Sequence, residues 1–437
     1  MPRRFCLITT FYPPYHFGGD GVCVYRLAEA LARRGHEVDV IHSIDAYHLG
    51  HPGEPEISFT HHPNVTVHGL RSALPALASL SAQQTGRPAA YGKRLAALID
   101  ERDYDVIHYH NVSLMGGPGV LRNGRALKLY TAHEYWLICP THVLFRNGEE
   151  ACTRRTCWTC TVKSRRPPQL WRSTGFTKRC TREIDLFLMP SRFAMERHKA
   201  EGLDRPMTVL PHFVEVPDAP ADSSTTNDTT NDTANDTANP VEAVVTNGSS
   251  GSGAAGADER PYFLFVGRLE KLKGVQDLLR LFTDYSAARL LIVGDGEQRA
   301  ELEAQAAGLL HVTFLGSLHP SELTGLYAGA LAVLVPSLCY EVFNLIPIEA
   351  FAQGTPAIVR DLGATPELVR DSGAGMIWET LDQCREAMER LRTQPGLADE
   401  LGRKGRAAWE QRWTEDVHMD RYLAMVEAML SGEDPPS

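Results

Sequence analysis

Along nearly the whole chain, short unbroken apolar runs alternate with stretches whose apolar residues recur every three or four positions. Residues 5–10 form the first run, suited to a strand buried on both faces. After a loop holding Pro13, Pro14, Gly18 and Gly19, the residues Val24, Leu27, Ala28, Leu31 and Ala32 return at helical spacing. Gly35 stands where that helix would end, and 38–41 reads as the next strand. Strand, helix and strand in such quick succession make a βαβ unit, the building block of a doubly wound parallel sheet. Further strands are predicted at 105–110, 127–132, 186–190 and 208–210, the last ending at Pro211.

The pattern breaks at 217–259, where Thr-Asn-Asp-Thr repeats give way to a Gly/Ser/Ala-rich tail almost without large apolar side chains. Such a segment cannot bury enough surface to offset the entropy of ordering it, and a disordered low-complexity linker is expected. A second α/β series follows at once. Strands are predicted at 262–266, 289–293, 312–314, 331–335 and 357–359, with helices at 275–282 and from Asn344 onward. An amphipathic helix at 416–430 closes the chain. The predicted organisation is an N-terminal domain over 1–216, the linker over 217–259, a second domain over 260–415 and a final helix and tail over 416–437. Two doubly wound α/β domains joined by such a linker imply a cleft between them, the usual place for a ligand.

Composition sharpens this in three ways. At 437 residues the chain exceeds one ordinary domain, and its 43% hydrophobic content can fill real cores. A formal net charge of -10 argues against nucleic acid as a general partner. No apolar stretch is long enough for a transmembrane helix, and the N-terminus lacks the pattern of a signal peptide. The expectation is a cytoplasmic chain whose nine cysteines stay reduced unless they bind metal.

The chemistry gathers at two junctions of the second series. In the segment 335–350 a strand ends near Ser337 and a helix begins near Asn344, so free backbone N–H groups and a positive dipole end could seat a pyrophosphate. Glu341 precedes the helix and Glu349 lies over a turn inside it, so the two do not form one paired-acid site. Each could accept hydrogen bonds from different sugar hydroxyls; equally, Glu341 could be a loop carboxylate and Glu349 a solvated helix residue. Arg268 and Lys273 follow the carboxyl end of the strand 262–266 and could hold a diphosphate, Arg268 as a fork and Lys273 as a point charge.

These segments resemble the nucleotide-sugar site of glycosyltransferase family 4, whose members have the GT-B architecture. Glu341 and Glu349 match the family's Glu-x7-Glu motif, and 267–274 matches its Gly-Arg-Leu-x4-Gly phosphate segment. Gly18-Gly19, the Gly35-His36-Glu37-Val38 turn and His133 match as well. The glutamate spacing alone would recur by chance; five segments in order do not. The resemblance implies an α/β GT-B fold of two Rossmann-like domains facing a cleft, with the final helix crossing back to the first domain. It implies a retaining enzyme that moves a hexose from a UDP- or GDP-sugar to a glycan, lipid-linked or small acceptor. Glu349 would bind the ribose, Glu341 the sugar hydroxyls, Arg268 and Lys273 the diphosphate, with the backbone at Asn344 and Leu345 in support. Leu315 and Gly316 would lie near the base, Gly18 and Gly19 near the donor phosphates or the acceptor, and His133 near the anomeric centre. The leaving phosphate would help deprotonate the acceptor, and no metal would be required for catalysis. Two departures stand out: Asn344 replaces a common Gly, and His212-Phe213 a common Asn-Gly.

Other outlines stay open at this level, namely a nucleotide-sugar epimerase or phosphorylase, or a non-catalytic nucleotide-sugar-binding protein. A nicotinamide-dependent oxidoreductase does not fit, since no Gly-x-Gly-x-x-Gly follows the first strand. Asp103-Tyr104-Asp105 looks like a metal-binding pair but precedes a strand and reads better as a surface turn.

Two features stand apart from sugar transfer. Cys157-x2-Cys160 has chelating spacing; Cys152 could add a third thiolate and Cys139 or Cys180 a fourth, giving a structural zinc site or, less readily, an iron–sulfur cluster. Reduced thiols in a small lobe are the plain alternative. Lys163, Arg165, Arg166, Arg172, Lys178, Arg179 and Arg182 crowd the stretch 163–182. They read either as a solvated face or as a patch for anionic lipid headgroups, which would make the protein peripheral on the cytoplasmic membrane face.

Overall fold

A computed structural model describes residues 1–51, 53–55, 57–215 and 260–435. The stretch expected as a linker, 217–259, lies outside the described residues. The chain divides into two compact units, one of Met1–His212, Cys339–Phe343 and Glu415–Ser437, the other of Phe213–Leu338 and Asn344–Thr414.

The first unit is built on a seven-stranded sheet, all of whose pairings are parallel. Its strands run in the order Val65–Leu70, Glu37–Ser43, Arg4–Ile8, Val106–Tyr109, Leu127–Thr131, Leu186–Met189 and Met207–Val209. Phe5, Leu7, Val40, Ile107 and Leu129 are buried, as expected for strands covered on both faces. Helix Gly19–Arg33 turns Val24, Leu27, Ala28 and Leu31 inward. The C-terminal helix Glu415–Leu430 belongs to this unit: Arg34 pairs with Glu415, and Arg3 with Glu427 at 2.7 Å.

The second unit holds a six-stranded parallel sheet in the order Val312–Gly316, Arg289–Val293, Tyr262–Val266, Ala332–Val335, Ala357–Arg360 and Gly375–Trp378. Helix Val275–Thr283 buries Val275, Leu278, Leu279 and Phe282 against it. In both sheets every predicted strand ends within two residues of its expected bounds, and 262–266 and 289–293 coincide with them. Two strands were not anticipated, Val65–Leu70 and Gly375–Trp378, and both lie at a sheet edge, where one-sided burial breaks the continuous apolar run.

Glycine loops at the carboxyl ends of the second sheet are laced to one another. Gly294 donates its N–H to the Gly316 carbonyl at 2.7 Å, and Gly267 donates to Val293 at 3.0 Å. Gly294 has φ +132, and a Cβ there would lie 1.9 Å from the Gly267 carbonyl oxygen. Both the dihedral and the backbone neighbour forbid a side chain. Gly294→Ala should therefore cost about 3 kcal/mol or more. Gly308→Ala, at φ +91 but with nothing within 4 Å, isolates the cost of the dihedral alone. Urea melts showing Gly294→Ala no less stable than Gly308→Ala would remove the steric argument.

Candidate active site

In each sheet the strand order reverses direction once, and this switch point is where α/β sheets bind ligands, beyond the strands' carboxyl ends. In the second unit the reversal lies between Tyr262–Val266 and Ala332–Val335. The loop after the first of these carries Arg268 and the single 3-10 turn Lys271–Lys273, and it ends at Gly274 with φ +79. A Cβ on Gly274 would meet the Pro336 carbonyl at 2.2 Å, and Leu338 donates its N–H to the Leu272 carbonyl at 2.8 Å. The loops following the two switch-point strands are thus bound edge to edge. Arg268 is exposed and pairs with Glu270 at 2.9 Å.

Past Leu338 the chain enters helix Leu345–Ala352, whose N-cap is Asn344. Asn344 Oδ1 accepts the Ile346 N–H at 3.1 Å, which explains a polar residue at this position: it satisfies one of the helix's orphan donors. Pro347, Ile348, Ala350 and Phe351 are buried, while Glu349 is half-buried. Glu349 Oε2 accepts a 2.8 Å hydrogen bond from the buried Tyr327 hydroxyl. Burial first, and the Glu349 charge second, push the Tyr327 hydroxyl well above its ordinary range, so it stays a donor. No motif or spacing marks Tyr327, which fixes the carboxylate. Leu315 and Gly316 end the strand Val312–Gly316, with Gly316 at φ +73.

Glu341 goes with the other unit. The segment Cys339–Phe343 belongs to the first unit, where Val342 packs with Tyr135, Leu144 and Ala194. Tyr135 Oη donates to the Glu341 carbonyl at 3.3 Å, and Ser191 Oγ to the Val342 carbonyl at 2.7 Å. The two motif glutamates therefore belong to different units.

The first unit's switch point lies between Arg4–Ile8 and Val106–Tyr109. Gly18 and Gly19 stand at the start of helix Gly19–Arg33, Gly18 at φ 153. His110 follows Tyr109, and His133 comes two residues after the strand Leu127–Thr131. His110 Nδ1 and His133 Nε2 lie 2.9 Å apart, so one ring donates to the other. His133 stacks on His212 at 4.8 Å between centroids and 6° between planes. Behind them His108 bonds Thr131 Oγ1 at 2.8 Å and Tyr422 Oη at 3.0 Å, and His418 bonds the Pro211 carbonyl at 2.7 Å. Burial holds His133 and His418 down at about 4, and burial with histidine neighbours holds His108, His110 and His212 well below the ordinary range. At neutral pH this is a stack of uncharged rings. Sequence reading found His133 and the departure at His212 but passed over His110, whose only trace was a histidine at a strand's end.

Two expectations change. Among the described residues, the one group of three or more His, Cys, Asp or Glu donors within 4.8 Å of one another is Cys23, His133 and His212, so Cys139, Cys152, Cys157 and Cys160 are not drawn that tightly together. Arg172 is not part of a surface patch. Its guanidinium sits over the Trp136 and Trp171 rings at 5.3 and 4.7 Å and donates to the Trp136 carbonyl at 2.7 Å, and burial lowers it to about 10. Lys163, Arg165, Arg166, Lys178, Arg179 and Arg182 remain exposed. Asp105, of the Asp-x-Asp look-alike, accepts the Arg4 N–H at 2.8 Å and pairs with Arg3, a structural turn.

Comparison with known proteins gives this geometry a family. Residues 17–216 match the model for Glycosyltransferase Family 4, and 254–408 that for Glycosyl transferases group 1. An uncharacterized glycosyltransferase of Methanocaldococcus jannaschii is 37% identical over 127 residues, which are 28% of this chain and 32% of that protein. The chain thus spans about a third of that curated relative's length. Among solved structures, the sucrose-phosphate synthase of Thermosynechococcus elongatus superposes with a TM-score of 0.71 at 19% identity, covering 99% of this chain and 100% of that one. Anabaena HepE in complex with UDP and glucose gives 0.64 at 15%, covering 98% and 100%. Two parallel Rossmann-like sheets and consecutive matches to both family models lead to one conclusion: the chain belongs to the family-4 glycosyltransferases of GT-B fold.

Proposed function

We propose that this protein is a retaining glycosyltransferase that moves a hexose from a UDP- or GDP-sugar to a glycan, lipid-linked or small-molecule acceptor. The observation that carries the reading is the second unit's switch point, where Arg268 and Lys273 share a loop and Tyr327 fixes Glu349 on a nearby helix. Cations beside a helix N-terminus suit a diphosphate, and a carboxylate held by one donor suits a ribose diol. Arg268, Lys273 and the N–H groups at Leu345 would take up the negative charge that grows on the leaving phosphate. Glu341, Gly18, Gly19 and His133 take their roles from the family pattern, with His133, neutral at physiological pH, at the transferred sugar. The complex of HepE with UDP and glucose supports a nucleotide-sugar donor.

Among the described residues no helix is long and apolar enough to cross a membrane. A lipid-linked acceptor would be met at a membrane surface, and the exposed cations of 163–182, beside exposed Trp158, Val162 and Leu170, support a peripheral placement on its cytoplasmic face.

A panel of nucleotide sugars, read by binding and by product configuration in NMR, tests the reading. Glu349→Ala should weaken donor affinity by about tenfold to a hundredfold, roughly 1.4 to 3 kcal/mol for a charged hydrogen-bond acceptor, and Tyr327→Phe by less. If no nucleotide sugar binds, or if Glu349→Ala binds its donor like the parent, the site is elsewhere. Inversion at the anomeric carbon would overturn the retaining part alone.

A further inference from the structure

A neutral imidazole has one donor nitrogen and one acceptor nitrogen, and what His133 can offer a sugar depends on which is which. Its neighbours decide this. His110 follows the strand Val106–Tyr109 directly, and His133 comes two residues after Leu127–Thr131, the parallel strand beside it. The pairing carries both rings to the carboxyl edge of the sheet, where His110 Nδ1 and His133 Nε2 lie 2.9 Å apart. Nε2 of His133 is thereby committed, and Nδ1 is the nitrogen left for a ligand. His110 is only 2% exposed, whereas His133 is half-buried and can be reached.

Two neutral rings can make this bond in two ways. If His133 donates, His110 must carry its own proton on Nε2. That atom is buried and has no hydrogen-bond partner among the described residues. An orphaned buried N–H is rare and costly in folded chains. If His110 donates from Nδ1 instead, its Nε2 is a bare lone pair and no donor is orphaned. His133 is then bare at Nε2 and protonated at Nδ1.

Packing holds both rings in these orientations. His212 covers one face of His133 at 4.8 Å and 6°, and Phe343 stands edge-on to His212 at 5.5 Å and 83°. A half-turn of the His133 ring would bring Cε1 where Nε2 stands and break the bond to His110. His108 packs on His110 at 4.1 Å between centroids and is itself bonded to Thr131 and Tyr422.

We propose that His110 is a positioning residue: it donates from Nδ1 to His133 and fixes His133 as the Nδ1–H tautomer, which presents an N–H to a hydroxyl oxygen of the transferred sugar. The inference rests on the placement of His133 at that sugar, and adds that its ring serves as a hydrogen-bond donor. A nitrogen that already carries a proton cannot take one from the acceptor hydroxyl, so His133 is not the base of the transfer.

Long-range proton–nitrogen NMR spectra of the full chain, labelled at histidine, read the tautomers without any reaction. His133→Gln and His110→Asn identify the two sets of signals. Both rings are expected to be protonated on Nδ1, against the Nε2–H form that free histidine prefers. His133 protonated on Nε2 overturns the proposal. Kinetics give the second arm. His110→Leu should lower turnover at saturating donor by about tenfold to a hundredfold, the usual effect of a displaced catalytic contact. Affinity for the donor's nucleoside diphosphate alone should not change, because that part does not meet His133. His110→Asn, whose amide can donate from nearly the same place, should stay within about threefold of the parent. Turnover in folded His110→Leu equal to the parent, an Asn variant as slow as the Leu variant, or nucleotide affinity lost in step with turnover would each refute a positioning role. Should His110→Leu fail to fold, the spectra of the unaltered protein decide. A chain that turns over no nucleotide sugar fails the transferase reading, while the tautomers still test this inference.

Discussion

Replacing Lys273 and Arg268 together by alanine should lower turnover at saturating donor by about a hundredfold to a thousandfold, the usual effect of removing groups that stabilise transition-state charge. Donor affinity should fall less, because both cations are asked to do most when the bond to phosphate breaks and charge accumulates there. Lys273 should account for the larger share. It sits in the 3-10 turn Lys271–Lys273, held by Gly274 against Pro336, whereas Arg268 is exposed. Steady-state kinetics of the two single variants and the double variant, with thermal melts as a folding control, measure this. A folded double variant within fivefold of the parent turnover would show that leaving-group charge is met elsewhere.

The first unit should lose stability steeply as pH falls from about 6.5 towards about 4. Unfolded histidines titrate near 6.5, while His133 and His418 are held at about 4 and His108, His110 and His212 lie well below their ordinary range, all by burial first. Between those limits the unfolded chain takes up protons that the folded one refuses, so each lowered histidine costs up to about 1.4 kcal/mol per pH unit. Above 6.5 both states are neutral and the effect vanishes. Five such rings together can exceed the margin of an ordinary domain within about one to two pH units. Calorimetry from pH 7.5 to 4.5 should show this unit's transition moving down first. A melting temperature flat between pH 7 and 5 would mean that the stack is not closed to protons.

The histidine stack also shows where sequence reading stops. His133 was legible because it follows a strand in a family pattern, but nothing in the sequence places His110 against it at 2.9 Å or His212 upon it. Those contacts join the ends of separate strands and a residue far along the chain. Tyr327 was hidden for the same reason: it lies on a different helix, Pro320–Gly329, from the carboxylate it holds. Arg172 misled in the opposite direction, since a charge run along a sequence does not reveal that one member packs over two tryptophan rings.

What the sequence determined by itself was the alternation of elements. Runs such as 262–266 and 289–293 are apolar on both faces, so they can only be covered strands, and the helical stripes between them leave parallel winding as the consistent solution. It also determined the local pairing of Arg268 with Lys273 and of Glu341 with Glu349, because those spacings are fixed by the chain. The tertiary structure decided which of these residues share a unit: Glu349 stands in the second, held by Tyr327, while Glu341 stands in the first beside Tyr135. It decided the neutral state of the histidines as well. Local propensity is written in neighbouring residues, but burial, and every proton equilibrium that depends on it, is set by which distant segments the fold brings together.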